Sequence, residues 1–261
     1  MKLQIVGGGK MGEALLAGLI ESHWADPGEL GIVEPFDARR SELVAAHPGI
    51  VVGDTLHPHV DALIAVKPQH VEGVVADLAS NGVERILCVA AGVTIASMHK
   101  AGPDMRVIRC MPNTPALVGE GASAIAGGPT ATDDDLEWAE SILSAVGLVE
   151  RVAESDLDAV TGLSGSGPAY VFHLAEALIA AAIGQGLSPE VADRLTRQTL
   201  LGASRLLVES GEDPAILREN VTSPGGTTAA GLAQFGESDF VGLVDRVVAA
   251  AVDRSRELGE S

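Results

Sequence analysis

The chain has 261 residues, 46% of them apolar but only 3% aromatic, and a formal net charge of −19. That length suits one large or two modest domains, with a core built from Ala, Val, Leu and Ile. A surface this acidic repels phosphate backbones and argues against nucleic-acid binding, although a pocket of backbone N–H groups can still hold a nucleotide.

Taken in chain order, the N-terminal run KLQIVGGG is too short and too soon broken by glycine for a signal peptide. The spacing predicts a strand at Leu3–Val6 and a helix over Met11–Glu21. Further strands are expected at Leu30–Val33, Ala62–Val66, Arg85–Ala90 and Arg106–Cys110, with charged or Ala-rich segments of helical length between them. Ser123–Ala126 and Gly147–Val152 are candidates to extend the same sheet. Continuous apolar strands alternating with helices give a parallel sheet covered on both faces. Cys88 and Cys110 both fall in apolar runs and read as buried, reduced thiols; neither a disulfide nor a Cys-ligated metal site is expected.

The pattern changes near Glu154, after which almost no β-like run remains. Ser155 to Asp158 has the spacing of a capping box. Ser188-Pro189 and Asp213-Pro214 each set a capping residue before a proline at the first helical position. The expectation is an α/β cofactor-binding part over residues 1–153 and an all-helical part over residues 154–261. No run of about 18 apolar residues is free of charges and breakers, so no membrane span is expected, and the default location is the cytoplasm.

Gly7-Gly8-Gly9-Lys10-Met11-Gly12 fits G-x-G-x-x-G between the first strand and the first helix. The first glycine permits the turn, the second lets backbone approach a pyrophosphate, and the third lets helix lie on strand. A helix N-terminus adds free N–H groups and a positive dipole end. Glu34, at the end of the second strand, stands where an acid bonds the ribose hydroxyls of NAD. Arg39 and Arg40 stand close enough to pair with the 2′-phosphate of NADP, so NADH against NADPH is left open.

Three loops follow the next strands: Val66-Lys67-Pro68-Gln69, Ala90-Ala91-Gly92-Val93-Thr94 and Met111-Pro112-Asn113-Thr114-Pro115. Strand ends on that edge line the ligand crevice of such sheets. Lys67 faces cofactor phosphate, a substrate carboxylate or solvent; Asn113-Thr114 is a polar turn made rigid by its prolines. In the helical half, Gly162 to Tyr170 reads as a Gly/Ser loop before a long helix. Ser223-Pro224-Gly225-Gly226-Thr227-Thr228 precedes another helix and is either an ordinary connection or a site for a small carboxylate. His57-Pro58-His59 reads as a pair of surface histidines, and His173 as a core or interface residue. No metal site is expected.

In order, GGGKMG, AVKPQ, AAGVTI, RCMPNTPALV, GLSGSGPAY and SPGGTT resemble the segments of the pyrroline-5-carboxylate reductases over nearly the whole chain. The runs DAVTGLSGSGPAYVF and NVTSPGGTTAAGL are the specific ones. The resemblance implies a Rossmann-like doubly wound sheet followed by an all-helical dimerisation domain, in interlocked homodimers often assembled into a decamer. It implies NADPH- or NADH-dependent hydride transfer to the C=N bond of 1-pyrroline-5-carboxylate, giving L-proline. Carried over, Gly7, Gly8, Gly9, Lys10 and Met11, with Gly12 behind them, would hold the pyrophosphate. Ala65, Val66, Lys67 and Pro68, with Ala90, Ala91 and Gly92, would line the ribose and nicotinamide, and Asn220 would lie near the cofactor. Ser223, Gly225, Gly226 and Thr227 would bind the substrate carboxylate, Thr228 would set its hydroxyl near the ring nitrogen, and Glu154 resembles a substrate-side residue. Glu34-Pro35-Phe36 departs from the Ser often found after the second strand of NADPH-dependent members. The resemblance competes with two other readings. One is another two-domain dehydrogenase, which would use a catalytic Lys or Asp absent between Leu163 and Phe172. The other is a non-catalytic nucleotide-binding protein, which would be expected to lose SPGGTT or the first glycines.

Overall fold

A computed structural model describes residues 1–260. Strands β1 (Leu3–Val6), β2 (Leu30–Val33), β3 (Val51–Gly53), β4 (Ala62–Ile64), β5 (Arg85–Cys88), β6 (Arg106–Met111), β7 (Gly121–Gly127) and β8 (Gly147–Arg151) form one sheet in the order β3-β2-β1-β4-β5-β6-β7-β8. Every pairing is parallel except β6 with β7. The strand order reverses at β1, which pairs with β2 on one side and β4 on the other. Such a switch point opens a crevice at the carboxyl ends of the strands.

Helices α1 (Lys10–Glu21), α2 (Asp37–Ala46), α3 (Val71–Ser80), α4 (Ile95–Ala101) and α5 (Asp133–Leu143) connect these strands. Alternation along each strand divides the core between two faces. Leu3, Ile5, Leu30 and Ile32 pack with Leu15, Leu16 and Leu19 of α1 and Ile142 of α5. Val6, Ala62, Ile64, Ile86 and Cys88 pack with Val71, Val75 and Leu78 of α3 and Met98 of α4. Gln4 is fully buried in β1 but satisfied: its Nε2 donates to His57 O (2.9 Å) and Val60 O (2.7 Å), and its Oε1 accepts from His57 N (2.9 Å). His57 is therefore half-buried against β1, not a surface histidine as expected, whereas His59 is exposed.

From Glu154 the described chain is helical: α6 (Leu157–Val160), α7 (Gly167–Gly184), α8 (Pro189–Ser210), α9 (Pro214–Asn220), α10 (Thr227–Glu237) and α11 (Phe240–Glu260). Ser188 accepts from Val191 N at 3.4 Å, and Asp213 from Ala215 N at 2.7 Å, so both proline-led starts are capped as expected. The capping box expected at Ser155 does not form; a short 3-10 turn opens at Glu154, and Ser155 Oγ donates to Asp156. Nor is Gly162–Tyr170 a loop. Thr161–Gly165 winds as a wide π turn, closed by Ser166 N to Thr161 O at 2.8 Å, and runs on into α7. Gly165 lies against β6 in this turn, where a Cβ would stand 2.4 Å from Met111 Cε.

The chain divides into two compact units, Met1–Ser166 with the end of α11 from Ala250 on, and Gly167–Ala249. In the second unit α7 packs on α8, yet only Ala192 and Thr196 are buried there. Phe172, Leu206, Val208, Leu243 and Val244 are all exposed, and His173 is exposed beside Glu176. No membrane span was expected, yet by length and composition alone the helical run Glu154–Gly184 could cross a membrane. Apolar helix faces of this extent equally suit burial by a partner chain.

Candidate active site

β1 ends at Val6 and hands the chain to Gly7, whose N–H donates to Val33 O at 2.9 Å and whose φ is +108°. A side chain is impossible there, since a Cβ would meet Ala65 O at 2.7 Å. Gly12 is tighter still: its Cβ would stand 2.1 Å from Gly7 O. Gly9 differs from both. It is exposed, nothing lies within 4 Å of its Cβ position, and as N-cap of α1 it offers no side-chain cap. The first turn of α1, which starts at exposed Lys10 and half-buried Met11, therefore presents its N–H groups to open space. That is the cradle a pyrophosphate fits.

Glu34 is buried at the end of β2, with Oε2 accepting from Gly8 N at 3.0 Å and Oε1 from Phe36 N at 3.1 Å. Arg39 donates through Nε to Gly8 O (2.7 Å) and through Nη1 to Glu42 (2.8 Å), and also pairs with Glu13. Burial resists ionisation of Glu13, but hydrogen bonds from Arg39 and His47 outweigh it and hold the carboxyl below its ordinary value. Arg40 donates to Glu34 O at 2.7 Å and pairs with Asp37. The acid and both arginines thus stand together beside the glycine turn, each already engaged.

Ala65 N donates to Val6 O at 2.8 Å, which sets Ala65 and Val66 next to the turn; Lys67 and Pro68 follow, both exposed. After β5, Ala90 is buried, Ala91 is exposed and Gly92 takes φ +74°. Thr94 caps α4 by accepting from Ser97 N at 3.1 Å. Pro68, Gln69, Ala91, Gly92, Thr94 and Leu258 are among the residues lining a cavity of about 500 Å³ at this edge. The third loop is different. The side-chain amide of Asn113 donates to Ser164 O (3.1 Å) and accepts from Ala122 N (2.9 Å), so it is spent on holding the fold.

In the second unit Ser223–Gly226 turns tightly, with Gly226 N donating to Ser223 O at 3.0 Å and Gly225 at φ +72°. Gly226 is the N-cap of α10 and, like Gly9, supplies no side-chain cap. Thr227 and Thr228 open that helix and are exposed; Asn220 ends α9 just upstream and is exposed as well. Glu154, expected on the substrate side, lies in the first unit with Oε1 accepting from Ile95 N (2.7 Å) and from Arg109 Nη1 (3.0 Å). Arg109 was not among the expected site residues, though an arginine inside the apolar run of β6 signals a buried charge in need of an acid.

Both cysteines are buried thiols on neighbouring strands, as expected; burial pushes Cys88 up to about 11 and raises Cys110 as well. Neither thiol reaches solvent. An open glycine cradle at the switch point of a doubly wound sheet, followed by a helical region, is the arrangement of a dinucleotide-binding protein.

Along its whole length the chain is 43% identical to the pyrroline-5-carboxylate reductase of Synechocystis sp., covering 99% of that protein, and over its whole length 37% identical to that of Arabidopsis thaliana, covering 96%. It belongs to the pyrroline-5-carboxylate reductase family. Residues 154–258 match the family model for pyrroline-5-carboxylate reductase dimerisation, and residues 2–91 match that for NADP oxidoreductase, coenzyme F420-dependent. The solved pyrroline-5-carboxylate reductase of Coxiella burnetii superposes with TM-score 0.93 at 33% identity, over 100% of this chain and 99% of that one. That of Plasmodium falciparum, solved with NADP bound, gives 0.84 at 27%, over 99% and 98%.

Proposed function

We propose that this chain reduces the C=N bond of 1-pyrroline-5-carboxylate with NADPH or NADH to give L-proline, the last step of proline biosynthesis. The observation that carries the reading is a pair of helices without side-chain caps, α1 behind Gly7–Gly9 and α10 behind Ser223–Gly226. One offers donors to a dinucleotide pyrophosphate, the other to a small carboxylate.

In this reading Gly7 to Met11, backed by Gly12, hold the pyrophosphate, and Glu34 and Arg39 meet the adenosine ribose. Ala65 to Pro68 and Ala90 to Gly92 line the nicotinamide side, with Asn220 near the cofactor. When bound, the reduced nicotinamide supplies the hydride that C5 of the imine accepts. Ser223, Gly225, Gly226 and Thr227 hold the substrate carboxylate and so fix the ring's orientation, which lowers the entropic part of the barrier. The ring nitrogen must gain a proton. A threonine is a poor acid near neutral pH, so solvent delivers it and Thr228 orients the nitrogen by hydrogen bonding.

The exposed apolar faces of α7, α8 and α11 suit a homodimer, which we place in the cytoplasm, assembled further into a decamer, with no membrane or nucleic-acid partner. The functional boundary falls between residues 153 and 154. Thr228→Ala is expected to lower kcat by about tenfold or more while the cofactor Kd moves less than about twofold, because only an orienting hydrogen bond is lost. Unchanged kcat in that variant would remove the role given to Thr228.

A further inference from the structure

Resting on the reaction just proposed, we infer that Glu154, held by Arg109, positions the cofactor-side loop Ala90–Thr94 through the Ile95 N–H. Arg109 is 8% exposed in the middle of β6, beside Cys88 on β5 and Ala126 on β7. A guanidinium so placed needs an acid, because an unpaired buried charge is costly. Glu154 supplies it at 3.0 Å.

The same oxygen, Oε1, accepts from Ile95 N at 2.7 Å. Ile95 is the first residue of α4, where N–H groups have no intrahelical partner. Thr94 satisfies Ser97 N, two residues further on, and leaves Ile95 to Glu154. The fixed point thus lies directly behind Ala91 and Gly92, which line the cavity, and Gly92 has left-handed backbone that a glycine samples freely unless it is held. Arg109 aims the carboxylate, the carboxylate pins the start of α4, and the loop in front of it keeps the shape the nicotinamide side requires. Glu154 is in this account a positioning residue that touches neither substrate nor cofactor.

The test compares wild type, Glu154→Ala and Glu154→Gln by cofactor Kd from NADPH titration, by KM and kcat with pyrroline-5-carboxylate, and by melting temperature. Glu154→Ala is expected to weaken NADPH about tenfold, the worth of one charge-assisted hydrogen bond, and to leave KM for the imine within about twofold. Glu154→Gln keeps an acceptor for Ile95 N and should recover most of the cofactor affinity. Should the alanine variant not fold, Glu154→Asp replaces it: one methylene shorter, it draws the shared acceptor oxygen back from Ile95 N, and should weaken NADPH likewise. A raised KM for the imine with unchanged cofactor Kd would make Glu154 a substrate contact and overturn the inference. A fall in melting temperature alone, with every constant unchanged, would overturn it too. Wild-type protein that binds NADPH but does not reduce the imine would sink the reaction instead, while the comparison of Kd values still decides the role of Glu154.

Discussion

The glycines of one short motif are glycine for two different reasons. Gly7 and Gly12 are glycine because the fold leaves no room, whereas Gly9 has open space around it. The consequence is separable by experiment. Gly12→Ala must force the turn open and is expected to cost about 1–3 kcal/mol or more of stability, along with NADPH binding. Gly9→Ala should melt within a degree or so of wild type, like other exposed substitutions, yet lose about tenfold or more in NADPH affinity because its methyl enters the space of the pyrophosphate. Calorimetric melting and NADPH fluorescence titration of the two variants measure this; a Gly9→Ala protein that binds NADPH normally would contradict the cradle. The motif was legible from the sequence because a glycine pattern reports backbone constraint. The engagement of Glu34 with Gly8 and Phe36 was not legible, because a carboxylate's hydrogen-bond partners depend on how the β2 end meets the turn. Arg109 and Glu154 lie 45 residues apart, and only the fold brings them within 3.0 Å.

Among the elements, β1 and β2 begin and end as expected, since strands buried on both faces read as near-continuous apolar runs, broken in β1 only by the buried Gln4. β3 escaped notice because it is three residues long, edges the sheet and is partly exposed. Glycine and serine suggest a loop at Thr161–Gly165, but the segment is a π turn in which a Cβ on Gly165 would meet Met111 Cε at 2.4 Å. At the opposite, amino end of β5 and β6, fully buried Asp135 accepts from Arg85 (3.2 Å), Arg106 (3.1 Å) and the Thr132 hydroxyl (2.8 Å), and Arg85 lies over the Trp138 ring. Burial alone would raise its pKa, but the Thr132 bonds and the two arginines outweigh that and lower it. A carboxyl lowered on folding stabilises the protein fully above its ordinary range, and the contribution disappears as pH falls through the lowered value. Asp135→Ala should therefore cost about 3 kcal/mol near neutral pH, the lower end for a broken buried pair because Arg106 is partly solvated. Urea unfolding should show the gap from wild type narrowing as pH falls through that lowered value; a pH-independent gap would contradict the pairing.

For the whole molecule, the all-helical second half was legible from its capped, Ala- and Leu-rich stretches, whereas the homodimer was implied by the resemblance of its motifs and not by periodicity. Alternation and periodicity mark which side of a helix is apolar, not whether the same chain covers it. Within Gly167–Ala249 the burial of Ala192 and Thr196 alone leaves the apolar faces uncovered, with Val208 80% and Val241 82% exposed. Sedimentation should accordingly give a dimer or a larger assembly, with a melting temperature that rises with protein concentration; a stable monomer would contradict the homodimer. Reduction of a cyclic imine is tested most directly by the loss of reduced-nicotinamide absorbance when pyrroline-5-carboxylate is added, with NADPH and NADH titrated separately and the product separated and identified. The account predicts turnover with at least one cofactor and one proline formed for each cofactor oxidised. Tight cofactor binding with no oxidation by either would contradict it.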